Sequence, residues 1–142
     1  MLILAATPIG NLGDASTRLK DALATAEIIA SEDTRTTRRL LAGLGIESSA
    51  RLIPLHEHNE REQADSVVEL ARGTDVLLLT DAGMPTVSDP GFALVRAAVA
   101  ADVLVTILPG PSAVLAALAV SGLPTDRRCC AGLLPRKPQA RR

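Results

Sequence analysis

Short runs of consecutive apolar residues recur along the chain, and stretches with apolar positions three and four apart lie between them. Residues 2–6 (LILAA), 27–31 (EIIAS), 50–55 (ARLIPL), 75–80 (DVLLLT) and 103–108 (VLVTIL) are short apolar runs bounded by turn residues, as buried strands are. The Pro in the third run marks an edge strand or a strand end. Between the runs, ASTRLKDALATA sets Leu19, Ala22, Leu23 and Ala26 at helical spacing. TRTTRRLLAGLG forms a second helix stopped by Gly43 or Gly45. NEREQADSVVELARG carries Ala64, Val67, Val68 and Ala71 on one face, with Asn59 as N-cap and Gly73 as stop. DPGFALVRAAVAAD forms a fourth helix with Pro90 near its first turn, and PSAVLAALAVSG a fifth, opening at Pro111 and closing at Gly122. RCCAGLL is a candidate for a sixth strand.

Strand and helix therefore alternate five times, and the strands do not alternate polar with apolar residues. That pattern predicts an α/β fold: a mostly parallel five-stranded sheet with helices on both faces and right-handed crossovers. Ligands of such sheets bind beyond the carboxyl ends of the strands.

Composition narrows the picture. A length of 142 residues suits one domain. Phe92 is the sole aromatic, so the core must be aliphatic. The net charge of −1 hides an asymmetry: residues 126–142 hold six Lys/Arg against Asp126, which leaves −6 on residues 1–125. A basic end can meet a polyanion or serve as a solvated linker, and Pro with basic residues marks a domain boundary. The expected division is a domain over 1–125 and a basic junction over 126–142. Cys129 and Cys130 are adjacent and fit no zinc spacing, so they read as ordinary thiols of a reducing compartment. The start lacks a basic n-region, and the longest apolar run, 112–120, is far short of the ~20 residues of a membrane span. The expectation is a soluble, cytoplasmic protein with no membrane association.

The unusual residues follow the strands. TPIGN (7–11), SEDTR (31–35), HEHN (56–59), TDAGMPTVSDPG (80–91) and PGPS (109–112) all fall on what should be one rim. Gly and Pro there are also ordinary loop punctuation. Asp33 could simply cap a helix with Arg35 solvated. His56 and His58 alternate as they would along a strand and would point the same way, but no third ligand is identified, so no metal is expected. The loop at 80–91 exceeds the usual ~2–6 residues of such connections. Its length suggests a cradle with backbone amides exposed by Gly83 and Gly91. Dinucleotide, P-loop and nucleophile-elbow signatures are missing. Acidic, carbonyl-rich loops suit a ligand that is cationic or rich in hydrogen-bond donors, and S-adenosylmethionine is one.

ATPIGNLGD, SEDTRTT, HEHNE, TDAGMPTVSDPG, LPGPSAVLAALAVSGLPTDR and GLLPRK occur in this order over nearly the whole chain. In combination they resemble the ribosomal RNA small subunit methyltransferase I group of the tetrapyrrole methylase superfamily. The resemblance implies S-adenosylmethionine-dependent 2′-O-methylation of a cytidine ribose in small-subunit ribosomal RNA. It also implies a two-domain, usually homodimeric protein with the cofactor between domains, of which this chain is the first domain. Carried over by residue, the cofactor side is Pro8, Gly10, Asp81, Ala82, Gly83, Met84, Pro85, Pro109, Gly110, Pro111 and Ser112. The RNA-facing or catalytic side draws on Glu32, Asp33, Arg35, His56, His58 and Asn59. The chain departs from the family at Arg128 and within Gly132-Leu133-Leu134-Pro135, where aromatic residues are usual.

A ribose hydroxyl is a poor nucleophile, so the site should hold it close and help remove its proton. Asp33, His56 and His58 stand as candidate bases, and Arg35, Arg38 and Arg39 as phosphate contacts or as a solvated helix face. With Phe92 alone, base recognition by stacking is not expected in this domain. The rival readings are a sister methylase of a tetrapyrrole or other small substrate, and a non-catalytic domain that dimerises or docks on the ribosome.

Overall fold

A computed structural model describes residues 1–129. Strands β1 (Leu2–Ala5), β2 (Ile28–Ser31), β3 (Arg51–Pro54), β4 (Val76–Leu79) and β5 (Val105–Leu108) form one sheet in the order β3-β2-β4-β1-β5. Every pairing is parallel. The expected α/β architecture is therefore the observed one. β2 and β4 are buried at every position, which explains their unbroken apolar run. β3 is an edge strand and Pro54 its last residue, where a missing N–H costs no ladder bond.

The helices are α1 (Thr17–Thr25), α2 (Thr34–Leu44), α3 (Glu60–Gly73), α4 (Phe92–Ala100) and α5 (Ala113–Val120). Alternation along the strands splits the core in two. Leu2, Leu4, Ala30, Val76 and Leu78 pack against Val67 and Ala71 of α3 and Leu94 and Ala98 of α4. On the other face Ala5, Ile29, Leu77 and Leu79 pack against Leu19 and Leu23 of α1, with Leu40, Leu41 and Leu44 of α2 partly buried beside them. Both layers are aliphatic, and Phe92 is 62% exposed. So α3 and α4 cover one face, α1 and α2 the other.

Several boundaries differ from the sequence reading, each for a local reason. Ser16 caps α1, accepting the Leu19 N–H at 3.0 Å, and a 3-10 turn at Leu12–Asp14 precedes it. Gly45, not Gly43, ends α2. At φ 66° it lets the Ile46 N–H reach back to the Leu41 carbonyl at 2.9 Å, closing the helix with a 6→1 bond. Asn59 occupies the N-cap position of α3 without capping it. Its Oδ1 accepts the His56 N–H at 2.8 Å and its Nδ2 donates to the Pro54 carbonyl at 3.1 Å, so it braces the turn after β3. Gly73 is the last residue of α3, and extended Thr74 follows it as C-cap. Pro90 lies ahead of α4, whose N-cap is Gly91. Helix α5 opens at Ala113 behind a Ser112 cap, leaving Pro111 outside. Arg127, Arg128 and Cys129 form no strand, and the rest of the sixth-strand candidate, with most of the 126–142 junction, lies outside the described residues. Among the described residues no helix is long and apolar enough to cross a membrane.

The start of α4 is set from a distance. No side chain of its own caps it; instead buried Glu60 of α3 accepts the Leu94 N–H through Oε1 at 3.0 Å. A carboxylate at a helix N-terminus satisfies an orphan donor and opposes the positive end of the dipole. Replacing Glu60 by Ala should lower unfolding free energy by about 2 kcal/mol, since a hydrogen bond to a charged group is lost and a buried N–H left bare. Glu60→Gln should recover much of this, as read by denaturant titration; equal stability of all three proteins would remove Glu60 from the frame of α4.

Candidate functional site

Because all strands run the same way, all five post-strand loops emerge on one rim. Sheet order sets their sequence along it: HEHN, SEDTR, TDAGMP, TPIGN, PGPS. The chain leaves β4 for α4 on one face, whereas its neighbours β2 and β1 lead to α2 and α1 on the other. Diverging connections open a crevice on each side of β4, the usual ligand position in such sheets. The long loop 80–91 stands between these crevices.

Toward β1 the loop is fastened by backbone. Thr7 and Gly83 form an isolated antiparallel bridge, with Thr7 N–H donating to the Gly83 carbonyl at 2.9 Å and Gly83 N–H to the Thr7 carbonyl at 3.1 Å. Thr7 Oγ1 also donates to the Thr80 carbonyl at 3.3 Å. Gly83 has φ 84°, a conformation that a side chain disfavours, and a Cβ there would lie 3.5 Å from Ile9 Cγ2 and 4.0 Å from the Pro111 carbonyl oxygen. The loops after β4, β1 and β5 thus meet at Gly83. Pro8, Gly10, Asp81 and Arg39 line one cavity of about 240 Å³ there. The structure thus brings Pro8, Gly10 and Asp81 of the expected cofactor side together with Arg39, expected among the RNA contacts, and sets Pro111 near Gly83. Beyond the bridge, Thr86 and Ser88 hold φ of 73° and 62°, and the Thr86 N–H donates to the Pro90 carbonyl at 3.1 Å. Left-handed backbone at non-glycine residues costs on the order of 1–3 kcal/mol each and gathers at functional loops.

Toward β2 and β3 lies a second cavity of about 420 Å³, lined by Glu32, His56, His58, Glu60, Ser88 and Asp89 among others. The link between the two halves is Glu32, whose Oε2 accepts the Asp81 N–H at 3.3 Å. Burial, then the charges of Asp81, Asp89 and Glu57, raise the Glu32 pKa against the lowering effect of that hydrogen bond. Burial and Asp81 also raise that of Asp89. His56 and His58 lie in the turn after β3, not along the strand. Their rings still face each other, edge-on at 5.9 Å. His58 is exposed and 3.4 Å from Glu57; His56 is partly buried. Its Nδ1, together with Ser31 Oγ and Thr80 Oγ1, is buried without a hydrogen-bond partner among the described residues. These orphan atoms sit at the rim ends of three neighbouring strands, where a polar ligand would satisfy them. Among the described residues no group of three or more His, Cys, Asp or Glu is arranged to hold a metal.

Asp33 has a different occupation. It caps α2, its Oδ1 accepting the Arg35 N–H at 2.8 Å, and it pairs with the Arg35 guanidinium at 2.8 Å. The Arg35 side chain first, then its backbone N–H, hold the carboxyl below its ordinary 3.8, at about 2. A carboxylate so committed makes a weak proton acceptor. Arg38 and Arg39 are exposed on the same helix. Glu60, which the motif HEHNE contained, was missed as a site-shaping residue. Its signal, a charge on the apolar side of α3, is legible only once α4 is placed.

Parallel sheet, flanked strand and pinned loop define an α/β domain whose ligand seat lies beyond the strand ends. The chain matches the model of the Tetrapyrrole (Corrin/Porphyrin) Methylases over residues 1–142 and belongs to that family. It is 54% identical over 142 residues to the "Ribosomal RNA small subunit methyltransferase I" of Xylella fastidiosa (strain Temecula1 / ATCC 700964), covering 99% of this chain and 51% of that protein. Proteins of the same name from Mycobacterium tuberculosis (strain CDC 1551 / Oshkosh) and Escherichia coli O157:H7 are 47% and 45% identical, with 99% of this chain and 50% and 49% of theirs covered. The chain spans about half the length of these curated relatives.

The depressed Asp33 carboxyl carries a pH dependence. A folded-state pKa below the unfolded one adds stability that is complete above about pH 4 and is lost as pH falls through about 2. Asp33→Asn, still able to cap but uncharged, should abolish that acid dependence. A carboxyl NMR titration should place the Asp33 midpoint near 2; a midpoint at the ordinary value would show that the Arg35 pairing does not persist in solution.

Proposed function

We propose that the chain is the first domain of an S-adenosylmethionine-dependent methyltransferase acting on a cytidine 2′-hydroxyl of small-subunit ribosomal RNA. The observation that carries the reading is the Thr7–Gly83 bridge, which gathers Pro8, Gly10, Asp81 and Gly83 at one edge of β4 while Glu32 and His56 stand at the other. The residues present fit the cofactor. Asp81 and the carbonyls around Gly83 suit its ammonium and sulfonium charges, Pro8, Ile9 and Met84 its apolar parts, and orphan hydroxyls at the strand ends its donors and acceptors. In this reading Ala82, Met84 and Pro85 hold the cofactor with Pro109, Gly110, Pro111 and Ser112. When bound, S-adenosylmethionine supplies an electrophilic methyl group.

The chain's own residues then orient the nucleophile and take its proton. His56 and His58, with Asn59 fixing their turn, border the hydroxyl. Arg38, with Arg35 beside its Asp33 partner and Arg39 at the edge of the Pro8–Asp81 cavity, presents positive charge along α2 to the phosphates. The choice of ribosomal RNA rests on the names of the relatives, all carried by proteins about twice as long.

The second domain belongs to the same proposal. Helix α5 is apolar throughout, yet none of its residues is buried, and Leu104, Val114, Leu115 and Val120 are exposed with it. An apolar surface of this kind calls for a covering partner. We assign that cover to the further domain implied by the relatives' length, with homodimerisation through the completed protein and a cytoplasmic location near ribosomes.

Ribose-methylation mapping of ribosomal RNA from a strain lacking the gene tests the reading directly: one small-subunit cytidine should lose its 2′-O-methyl group and regain it on complementation. An unchanged map would overturn it in favour of a small-substrate methylase. Two binding predictions accompany it. Asp81→Ala in the intact protein should weaken S-adenosylmethionine binding about tenfold or more with the fold retained, consistent with loss of a charged contact. Residues 1–142 alone should bind the cofactor more weakly than the intact protein in calorimetry, and equal tight binding would refute a seat shared between domains.

A further inference from the structure

We propose that Glu32 is the proton acceptor for the attacking hydroxyl, a role that rests on the methyltransferase reading above. Position comes first. Glu32 follows the last residue of β2 and is the side chain that touches both halves of the rim: it accepts a hydrogen bond from Asp81 of the loop after β4, and it lines the cavity that holds His56 and His58. That hydrogen bond occupies Oε2. Oε1 has no hydrogen-bond partner among the described residues, which leaves an oxygen able to receive a proton at the junction of the cofactor and substrate sides.

The alternatives are less suited. Asp33 spends its carboxylate on the α2 cap and on Arg35. His58 is exposed beside Glu57. His56 is partly buried and keeps a free Nδ1, so it is the competitor the test must separate.

The surroundings favour a basic Glu32. From the loop after β4 it faces Asp81 and Asp89, and around the shared cavity stand Glu57, His56 and His58 of the turn after β3 and Glu60 of α3. Burial first, then the charges of Asp81, Asp89 and Glu57, outweigh the Asp81 hydrogen bond and disfavour the negative charge of Glu32, so the carboxyl holds a proton more readily than a solvated glutamate, the condition for an effective general base. In the step itself, the Glu32 carboxylate takes the hydroxyl proton as the ribose oxygen bonds to the methyl carbon and the carbon–sulfur electron pair stays on sulfur. The resulting carboxylic acid returns its proton to water.

Methyl transfer to small ribosomal subunits lacking the modification, measured with the intact protein against pH, decides the matter. In the wild type, activity should rise with pH as Glu32 deprotonates. Glu32→Gln keeps an acceptor for the Asp81 N–H, so cofactor affinity by calorimetry should stay within a few-fold while kcat falls on the order of 100- to 10,000-fold and the acid limb disappears. Glu32→Asp, folded and with the carboxylate drawn back, should retain partial kcat and the limb. Independently of turnover, a carboxyl NMR titration of the cofactor-free protein should put Glu32 above ordinary glutamates. An active wild type with an equally active Glu32→Gln, a Glu32 titrating at or below the ordinary range, or loss of the acid limb in His56→Asn but not in Glu32→Gln would each overturn the role of Glu32 alone. No transfer by the wild type would overturn the methyltransferase reading and this role together.

Discussion

Two backbone hydrogen bonds between Thr7 and Gly83 hold the functional rim in place. Neither residue belongs to a named strand, and the pairing is antiparallel in a sheet otherwise wholly parallel. It ties the exit of β1 to the exit of β4 just where the two connections diverge to opposite faces. Without it the twelve residues from Thr80 to Gly91 would leave the sheet as an open excursion. With it, the start of that excursion is fixed at Gly83 beside Ile9 and Pro111, and the surplus length is spent on the turn through Thr86 and Ser88 that leads to α4. Glu60 then fixes the far end by holding the first turn of α4. A loop anchored at both ends by buried hydrogen bonds can tolerate left-handed residues between them, because the surrounding structure supplies the free energy that the strain costs.

The fold was legible because burial on both faces writes itself plainly: VLLL and IIA admit no other strand pattern, and Leu19 with Leu23 or Val67 with Ala71 admit no other helix face. Strand order was not legible. Nothing local to LILAA says that it lies between β4 and β5, since order is decided by which helices share a face. Boundaries failed where a residue had two competing uses. Asn59 is an excellent cap by type, but the exposed carbonyl of Pro54 and the N–H of His56 were closer claimants for its amide. Gly73, by contrast, is where α3 stops, with extended Thr74 following as the C-cap.

The candidate site was legible as a set of loops and much less so as a set of roles. Motif letters grouped Glu32 with Asp33, and the structure separates them. One turns back to cap its own helix, while the other reaches across to the neighbouring strand's loop. The same separation divides the arginines of α2, with Arg39 beside Pro8 and Asp81 and Arg35 held by Asp33. Asp33 has extended backbone, φ −127° and ψ 112°, where successive side chains point to opposite sides, and no motif records which side is taken.

Charge along the rim follows from these placements. From β3 to β4 the rim gathers Glu57, Glu60, Glu32 and Asp89 around two histidines with Asp81 beside them, and the positive side chains Arg35 and Arg39 of α2 approach from the Asp81 side. Packing so many carboxylates together is unfavourable unless something offsets their repulsion. Proton uptake does part of this: burial first, then the neighbouring negative charges, raise Glu32 and Asp89. A cationic ligand beside Asp81 would do the rest and, by drawing negative charge to itself, would lower the proton affinity of Glu32 on arrival. On the proposed reading, cofactor binding and the protonation of Glu32 would therefore be coupled through the charge of Asp81 that both feel. A positive charge seated there would favour the ionised form of Glu32, the form that accepts a proton.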